Sequence, residues 1–370
     1  MNTPENRPLF AQWPGLSGPV PHCALATLPT PVEALEGLAA ETRAASVHIK
    51  RDDQSGALYG GNKVRKLEFL LARAVAEGRR RVLTFGAAGS NHALATALYA
   101  RQAGLRSISM MVPQPNAHSV RRNLLRGLSA GVEFHYRGTK AGLALATLRV
   151  LQRCRREDGR YPMVIPPGGS SPLGAVGFVN GALELRTQAE AGLLPVPDRI
   201  YVPCGTMGTA MGLLLGLKAA GLPTTVVTVR VVDRQFVNEK RARKLFASCN
   251  RLLHEADAAF PLLPFPEEQF EFRDDFFGEE YALYTEASVE ACRRAAEVGI
   301  RLEGTYTGKA FAALLHDGAQ GRLAGKRVVF WNTYNGVDFA NEIAGLDYHA
   351  LPPAFYRYFE EDVQPLDRNH

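Results

Sequence analysis

From residue 45 onward the chain alternates two hydrophobic rhythms. Short β-branched or apolar runs at 47–50, 81–85, 107–112, 133–136, 163–165, 199–202, 225–232 and 327–331 read as strands. Segments with helical period lie between them, at 64–76, 93–103, 119–126, 142–156, 174–189, 209–220 and 288–298. Strand and helix in strict turn predict an α/β protein with mainly parallel sheets. The Pro- and Phe-rich stretch 256–278 breaks the rhythm and reads as an irregular packing insertion.

Parallel sheets bind ligands beyond the C-terminal ends of their strands, so the strand-to-helix loops are where chemistry is expected. The first loop ends in Gly60-Gly61-Asn62-Lys63 at a helix start. Two glycines let a bound group approach the backbone, and a lysine at the positive end of a helix has a larger share of reactive free amine. The second, Gly86-Ala87-Ala88-Gly89-Ser90-Asn91-His92, offers hydroxyl, amide and backbone donors at a helix N-terminus, although Ser90 or Asn91 can equally cap that helix. His92 reads as a packing or capping residue before it reads as a base. The third, Cys204-Gly205-Thr206-Met207-Gly208-Thr209, is a phosphate cradle of backbone N–H groups and two hydroxyls without any basic side chain. It matches neither the nucleotide-triphosphate loop nor the dinucleotide fingerprint. Tyr306, before a helix, offers a phenol for proton transfer, and Thr333, after the last strand, a neutral hydroxyl for a heterocyclic nitrogen.

At these residues the chain resembles the D-cysteine desulfhydrase and 1-aminocyclopropane-1-carboxylate (ACC) deaminase family of the tryptophan-synthase-β-like fold, whose members use pyridoxal 5′-phosphate (PLP). The matching segments are Lys50-Arg51-Asp52-Asp53, the run from Gly60 to Glu68, Ser90-Asn91-His92, Gly168-Gly169-Ser170 and Tyr306-Thr307-Gly308-Lys309. The resemblance implies two α/β domains with the cofactor in the cleft between them, residues 1–65 with 165–370 forming the large one and 66–164 the small one. It makes Lys63 the Schiff-base lysine and Cys204 to Thr209 the phosphate loop. Asn91 then faces the cofactor's phenolic oxygen and Thr333 its pyridine nitrogen. Ser90, Asn91, His92, Tyr281 and Tyr306 meet the substrate, with Lys63, Ser90 and Tyr306 moving protons.

The implied reaction is Cα deprotonation and β-elimination on a small amino acid such as D-cysteine. ACC deamination is the runner-up, because ACC deaminases carry glutamate where this chain has Thr307. A racemase or dehydratase on the same loops, or a non-catalytic PLP-binding homologue, are the other readings. Three segments depart from the family pattern: Asn332-Thr333-Tyr334-Asn335 in place of His-Thr-Gly-Gly, Ser171 in place of Asn, and Gly89 in place of Gln.

Length and composition agree with this picture. The 370 residues allow two domains, and 46% hydrophobic with 22% charged residues is ordinary for a packed protein. The formal charge of +6 comes from scattered Arg-rich helix faces without interleaved aromatics, so no nucleic-acid partner is expected. No apolar run is long enough to cross a bilayer, and the N-terminal segment with Arg7, Pro8 and Pro14 lacks the order of a signal peptide. Five cysteines without a C-x-x-C pair read as free thiols, with no metal site. The expected protein is cytoplasmic and homodimeric.

Overall fold

A computed structural model describes residues 7–368. Ten strands form two sheets: β1 (Val32–Ala34), β2 (Ser46–Lys50), β3 (Arg81–Ala87), β4 (Arg106–Val112), β5 (Glu133–Tyr136), β6 (Met163–Ile165), β7 (Arg199–Cys204), β8 (Thr225–Arg230), β9 (Phe270–Arg273) and β10 (Arg327–Trp331). One sheet has the order β1-β2-β10-β7-β8-β9 and the other β5-β4-β3-β6. Every pairing is parallel except β1 with β2. All eight expected strands are present, the 225–232 run ending at Arg230. The central strands β7, β8 and β10 are nearly continuous buried runs, as parallel strands covered on both faces must be.

Three elements depart from the sequence reading. The stretch 256–278 is not irregular throughout, since Phe270–Arg273 adds an edge strand parallel to β8. A helix at Glu239–Ala256 precedes it, capped by Asn238 and turning Ala242, Phe246, Cys249 and Leu253 inward. The short strand β1 was also not expected. The expected division between residues 65 and 66 falls inside one unbroken helix, Asn62–Ala76, which packs against both Pro172–Glu190 and Asn91–Gln102.

That helix is anchored by a buried ionic network. Arg65 grips Asp52 through Nη2 and Nε at 2.7 and 2.9 Å and Glu184 through Nη1 and Nη2 at 2.9 and 3.0 Å. Lys50, opposite Trp331 in the sheet, donates to Glu184, Gln188 and the Thr30 carbonyl at 2.5 to 2.7 Å. Burial alone would raise the Glu184 pKa, but Arg65 and Lys50 overcome it and hold the carboxyl at about 2. The Arg65 guanidinium also lies 6.0 Å from the Trp331 ring, so the residue pair ties the helix to the last strand.

Candidate functional site

The C-terminal ends of β2, β3, β7 and β10 feed loops that surround one cavity of about 960 Å³. Lys63, Ser90, Asn91, His92, the six residues from Cys204 to Thr209, Tyr281, Tyr306 and Thr333 all line it. Residues up to 270 positions apart thus converge because parallel strands present their loops at the same edge.

Lys63 is the second residue of the helix Asn62–Ala76, entered through Gly61 at φ 87°. A side chain at Gly61 would place Cβ 2.6 Å from the Thr333 carbonyl oxygen, so glycine is needed both for its conformation and for the close approach of the β10 exit. Lys63 Nζ donates to Asn62 Oδ1 at 2.7 Å, and Asn62 Nδ2 donates to Thr209 Oγ1 at 2.9 Å, which links the lysine to the glycine loop. Burial lowers the Lys63 pKa to about 8, against a smaller upward pull from Glu303.

Ser90 caps its helix, its Oγ accepting from Ala93 N at 3.2 Å. Asn91 is free of that task. Its Oδ1 accepts from Tyr59 and from Asn123 Nδ2 at 2.9 and 2.8 Å, fixing the amide at the cavity wall. His92 is buried, and burial first, then Lys63 and Lys66, push its pKa far down, so it packs as a neutral ring. The Tyr281 and Tyr306 hydroxyls meet at 2.5 Å. Glu303 holds the turn that carries Tyr306: its carboxylate accepts from the backbone of Thr305, Tyr306 and Thr307 at 2.7 to 2.9 Å.

The loop at 205–209 is not without a basic partner, as the sequence suggested. Lys66, one helical turn after Lys63, reaches it: Nζ donates to the Gly168 carbonyl at 3.1 Å and lies 3.5 Å from Ser170 Oγ. Ser170 Oγ in turn accepts from Gly208 N at 3.1 Å and sits 2.7 Å from Thr206 Oγ1. Lys66 has no carboxylate partner among the described residues, and burial, then Lys63, lowers its pKa well below the ordinary value. Burial disfavours the charge on this amine, and an anion at the neighbouring helix N-terminus would restore it, so the pair suits a phosphate. Met207, held at φ 67°, turns the loop into the Gly208–Ala219 helix. Gly168, at φ 66°, allows Thr206 to approach, since a Cβ there would lie 2.1 Å from its Oγ1.

The three departures also have structural roles. Asn335 Oδ1 accepts from Gly60 N at 2.7 Å and so buttresses the lysine loop, and the Tyr334 hydroxyl accepts from Arg122 at 2.7 Å. Ser171 caps Pro172–Glu190 through Gly174 N. At Gly89 a Cβ would lie 2.7 Å from Val120, and the neighbouring Gln114 amide bonds the Gly89 N–H at 2.9 Å, so the place of a glutamine is closed.

Residues 24–333 match the family model described as "Pyridoxal-phosphate dependent enzyme". The chain belongs to this family. Among its curated relatives, a putative ACC deaminase of Pyrococcus horikoshii is 34% identical over 85% of the chain and 91% of that protein. A D-cysteine desulfhydrase of Salmonella paratyphi B is 34% identical over 82% and 90%. A nocardicin C-9′ epimerase of Nocardia uniformis is 34% identical over 93% of the chain and all of that protein. A crystal structure of an ACC deaminase homologue superposes with a TM-score of 0.75 at 31% identity, covering 92% of the chain and 99% of that structure. PLP is therefore the cofactor, and the cavity fits it: Lys63 offers a nucleophilic amine of lowered pKa, and Lys66 stands beside the glycine loop and its helix N-terminus, where a phosphate would favour the charge that burial disfavours.

Lys66→Met tests the second of these. Loss of a charge-assisted contact worth about 1.5–3 kcal/mol weakens PLP binding by roughly 10- to 100-fold. Because Lys63 remains, the visible band of lysine-bound PLP still forms at saturation. PLP titration of the apoenzyme measures the shift, and a change under about threefold removes Lys66 from the phosphate site.

Proposed function

We propose that the protein is a PLP-dependent lyase that removes the Cα proton of a β-substituted amino acid and expels the Cβ substituent. D-Cysteine, giving pyruvate, ammonia and sulfide, is the reference substrate, as the Salmonella relative's name suggests. The observation that carries the reading is the convergence of Lys63, Ser90 and the Tyr281–Tyr306 pair on one cavity with the Lys66 anion site.

PLP, when bound, supplies the electron sink for the charge left on Cα. The chain supplies the rest. The Lys63 amine, with its pKa lowered to about 8 by burial, takes the Cα proton near neutral pH. Ser90 Oγ already accepts from Ala93 N, which leaves its O–H for the substrate carboxylate. Burial keeps Tyr306 protonated, so it serves the leaving group as a donor, oriented by Tyr281. Asn91 Nδ2 would meet the phenolic oxygen of the cofactor and Thr333 its ring nitrogen, where a hydroxyl supports weaker electron withdrawal than a carboxylate.

The surroundings of Thr307 favour this activity over ACC deamination. Its Oγ1 lies 3.5 Å from Glu303 Oε1, so a glutamate at 307 would set a second carboxylate beside one already buried. Epimerisation is the second reading, because the epimerase match extends over more of the chain than the desulfhydrase match and needs only removal and return of the same proton. Holoenzyme given D-cysteine, L-cysteine, D-serine and ACC in deuterated water separates them. Pyruvate with sulfide, fastest from D-cysteine among the four, supports the lyase; deuterium at Cα without pyruvate supports the epimerase. If neither appears with any β-substituted amino acid, both readings fall.

The same proposal treats the four-stranded and six-stranded halves as the small and large domains, and places a homodimer in the cytoplasm. The five free thiols fit a reducing compartment. No helix among the described residues is long and apolar enough to cross a membrane.

A further inference from the structure

The family match ends at Thr333, yet the chain beyond it still lines the cavity with Tyr334, Asn335 and Arg357. After the short helix Ala340–Ile343 it runs along His118–Ser129, burying Phe355 against Phe134 and Tyr136. The Tyr358 hydroxyl accepts from Gln114 N at 3.2 Å, and the Tyr358 carbonyl accepts from Asn116 and Arg121 at 3.0 and 2.6 Å. Gln364 bridges the two sides: its backbone N donates to the Asn116 carbonyl at 2.9 Å, its Oε1 accepts from Tyr284 N at 2.7 Å, and its Nε2 donates to the Ala282 carbonyl at 3.1 Å. Residues 348–367 thus tie the loop 113–116 of one half to the loop bearing Tyr281 in the other.

The cavity beside this strap, which contributes Arg357 to its lining, is larger than a small substrate needs. PLP joined to cysteine has roughly two dozen non-hydrogen atoms, which fill no more than about 720 Å³ even at the ~30 Å³ a water takes in the liquid. The cavity holds about 960 Å³. Its lining continues past Ser90 and Tyr306 to Gln114, Pro115, Leu143, Phe236 and Arg357, none of which touches the lysine or the glycine loop in any hydrogen bond. Phe236 stands 47% exposed at this lip, an aromatic face with nothing packed over it from outside.

We propose that this outer chamber holds the substituent of a cysteine or serine derivatised on Sγ or Oγ with an extended, partly aromatic group, and that such conjugates are turned over in preference to D-cysteine. The inference rests on the PLP-lyase reading and names its substrate class. The step is the same elimination. The Cα proton passes to Lys63, the Cβ–S or Cβ–O electron pair leaves with the substituent, and the thiolate or oxyanion so formed takes up a proton. The aminoacrylate left behind adds water and yields pyruvate and ammonia, without oxidant or reductant.

The test uses holoenzyme, both enantiomers of S-benzylcysteine, and D-cysteine. The kcat/KM for one S-benzyl enantiomer should exceed that for D-cysteine at least about tenfold, the gain expected from filling an apolar pocket. An unreactive α-methyl-S-benzylcysteine, followed by calorimetry, should bind, and Phe236→Asp should weaken that binding and lower the S-benzyl to D-cysteine kcat/KM ratio at least about fivefold. D-Cysteine turned over as well as the conjugates, or a ratio unmoved in Phe236→Asp, overturns the inference. Failure to form lysine-bound PLP at all would instead strike the reading beneath it, and the absorbance spectrum distinguishes the two.

Discussion

Lys63→Ala is expected to eliminate the visible absorbance of lysine-bound PLP and to slow Cα-proton loss by about 10³-fold or more, since one group both holds the cofactor and moves the proton. The side chain makes one hydrogen bond, to Asn62 Oδ1, so the variant should melt close to the wild-type apoenzyme. The pH dependence of cofactor capture gives an independent view of the same amine. Burial lowers its pKa to about 8, so below that pH the free amine, and with it the rate at which apoenzyme takes up PLP, falls about tenfold per pH unit. Above it the rate levels off. An ordinary lysine would keep gaining to beyond pH 10. A stopped-flow rate that still climbs tenfold per unit between pH 8.5 and 10 contradicts the burial argument, and a Lys63→Ala protein that keeps the band contradicts the assignment.

The parts of the site that were legible in the sequence are those where residue type and local backbone requirement coincide. Gly61, Lys63, Ser90 and the loop at 205–209 stand at strand-to-helix junctions, and a junction in a parallel sheet announces itself through Gly, Ser and Thr before an apolar helix. Lys66 was equally visible in principle: it lies three residues after Lys63 and therefore on the same helix face. What hid it was that its target, the 168–170 turn, is brought near only by tertiary packing. Glu303 gave no local signal, because a carboxylate that accepts three backbone N–H groups is recognised only once the turn exists. In the fold, the helix Glu239–Ala256 was readable from the spacing of Ala242, Phe246, Cys249 and Leu253, but its seven Lys, Arg and Glu side chains from Glu239 to Glu255 dilute the apolar stripe. The strand Phe270–Arg273 could not be read, since an edge strand of four residues with alternating charge owes its conformation to β8 beside it.

Glu184→Gln is expected to cost the protein about 3–5 kcal/mol of folding stability, the largest effect of any single substitution outside the cavity. The change is isosteric, so it tests charge and not volume. Glu184 is the shared acceptor of Lys50 and Arg65, both fully buried, and without its charge Asp52 alone faces two cations. Acidification should reproduce the loss. The Glu184 pKa is depressed to about 2 in the folded state, so its contribution is complete above the ordinary carboxyl value near 4.5 and drains away as pH falls from there toward 2. Urea unfolding across that range should therefore show a slope in the wild type, on the order of 3 kcal/mol in all, that is reduced in Glu184→Gln. A loss under about 1 kcal/mol, or an undiminished slope in the variant, would mean that packing of Arg65 against Phe178 and Trp331 holds the helix without the ion pairs. Because Arg65 stands between Lys63 and Lys66 on that helix, the variant should also bind PLP more weakly than its residual fold predicts, and PLP titration at a temperature where both proteins are folded measures that coupling directly.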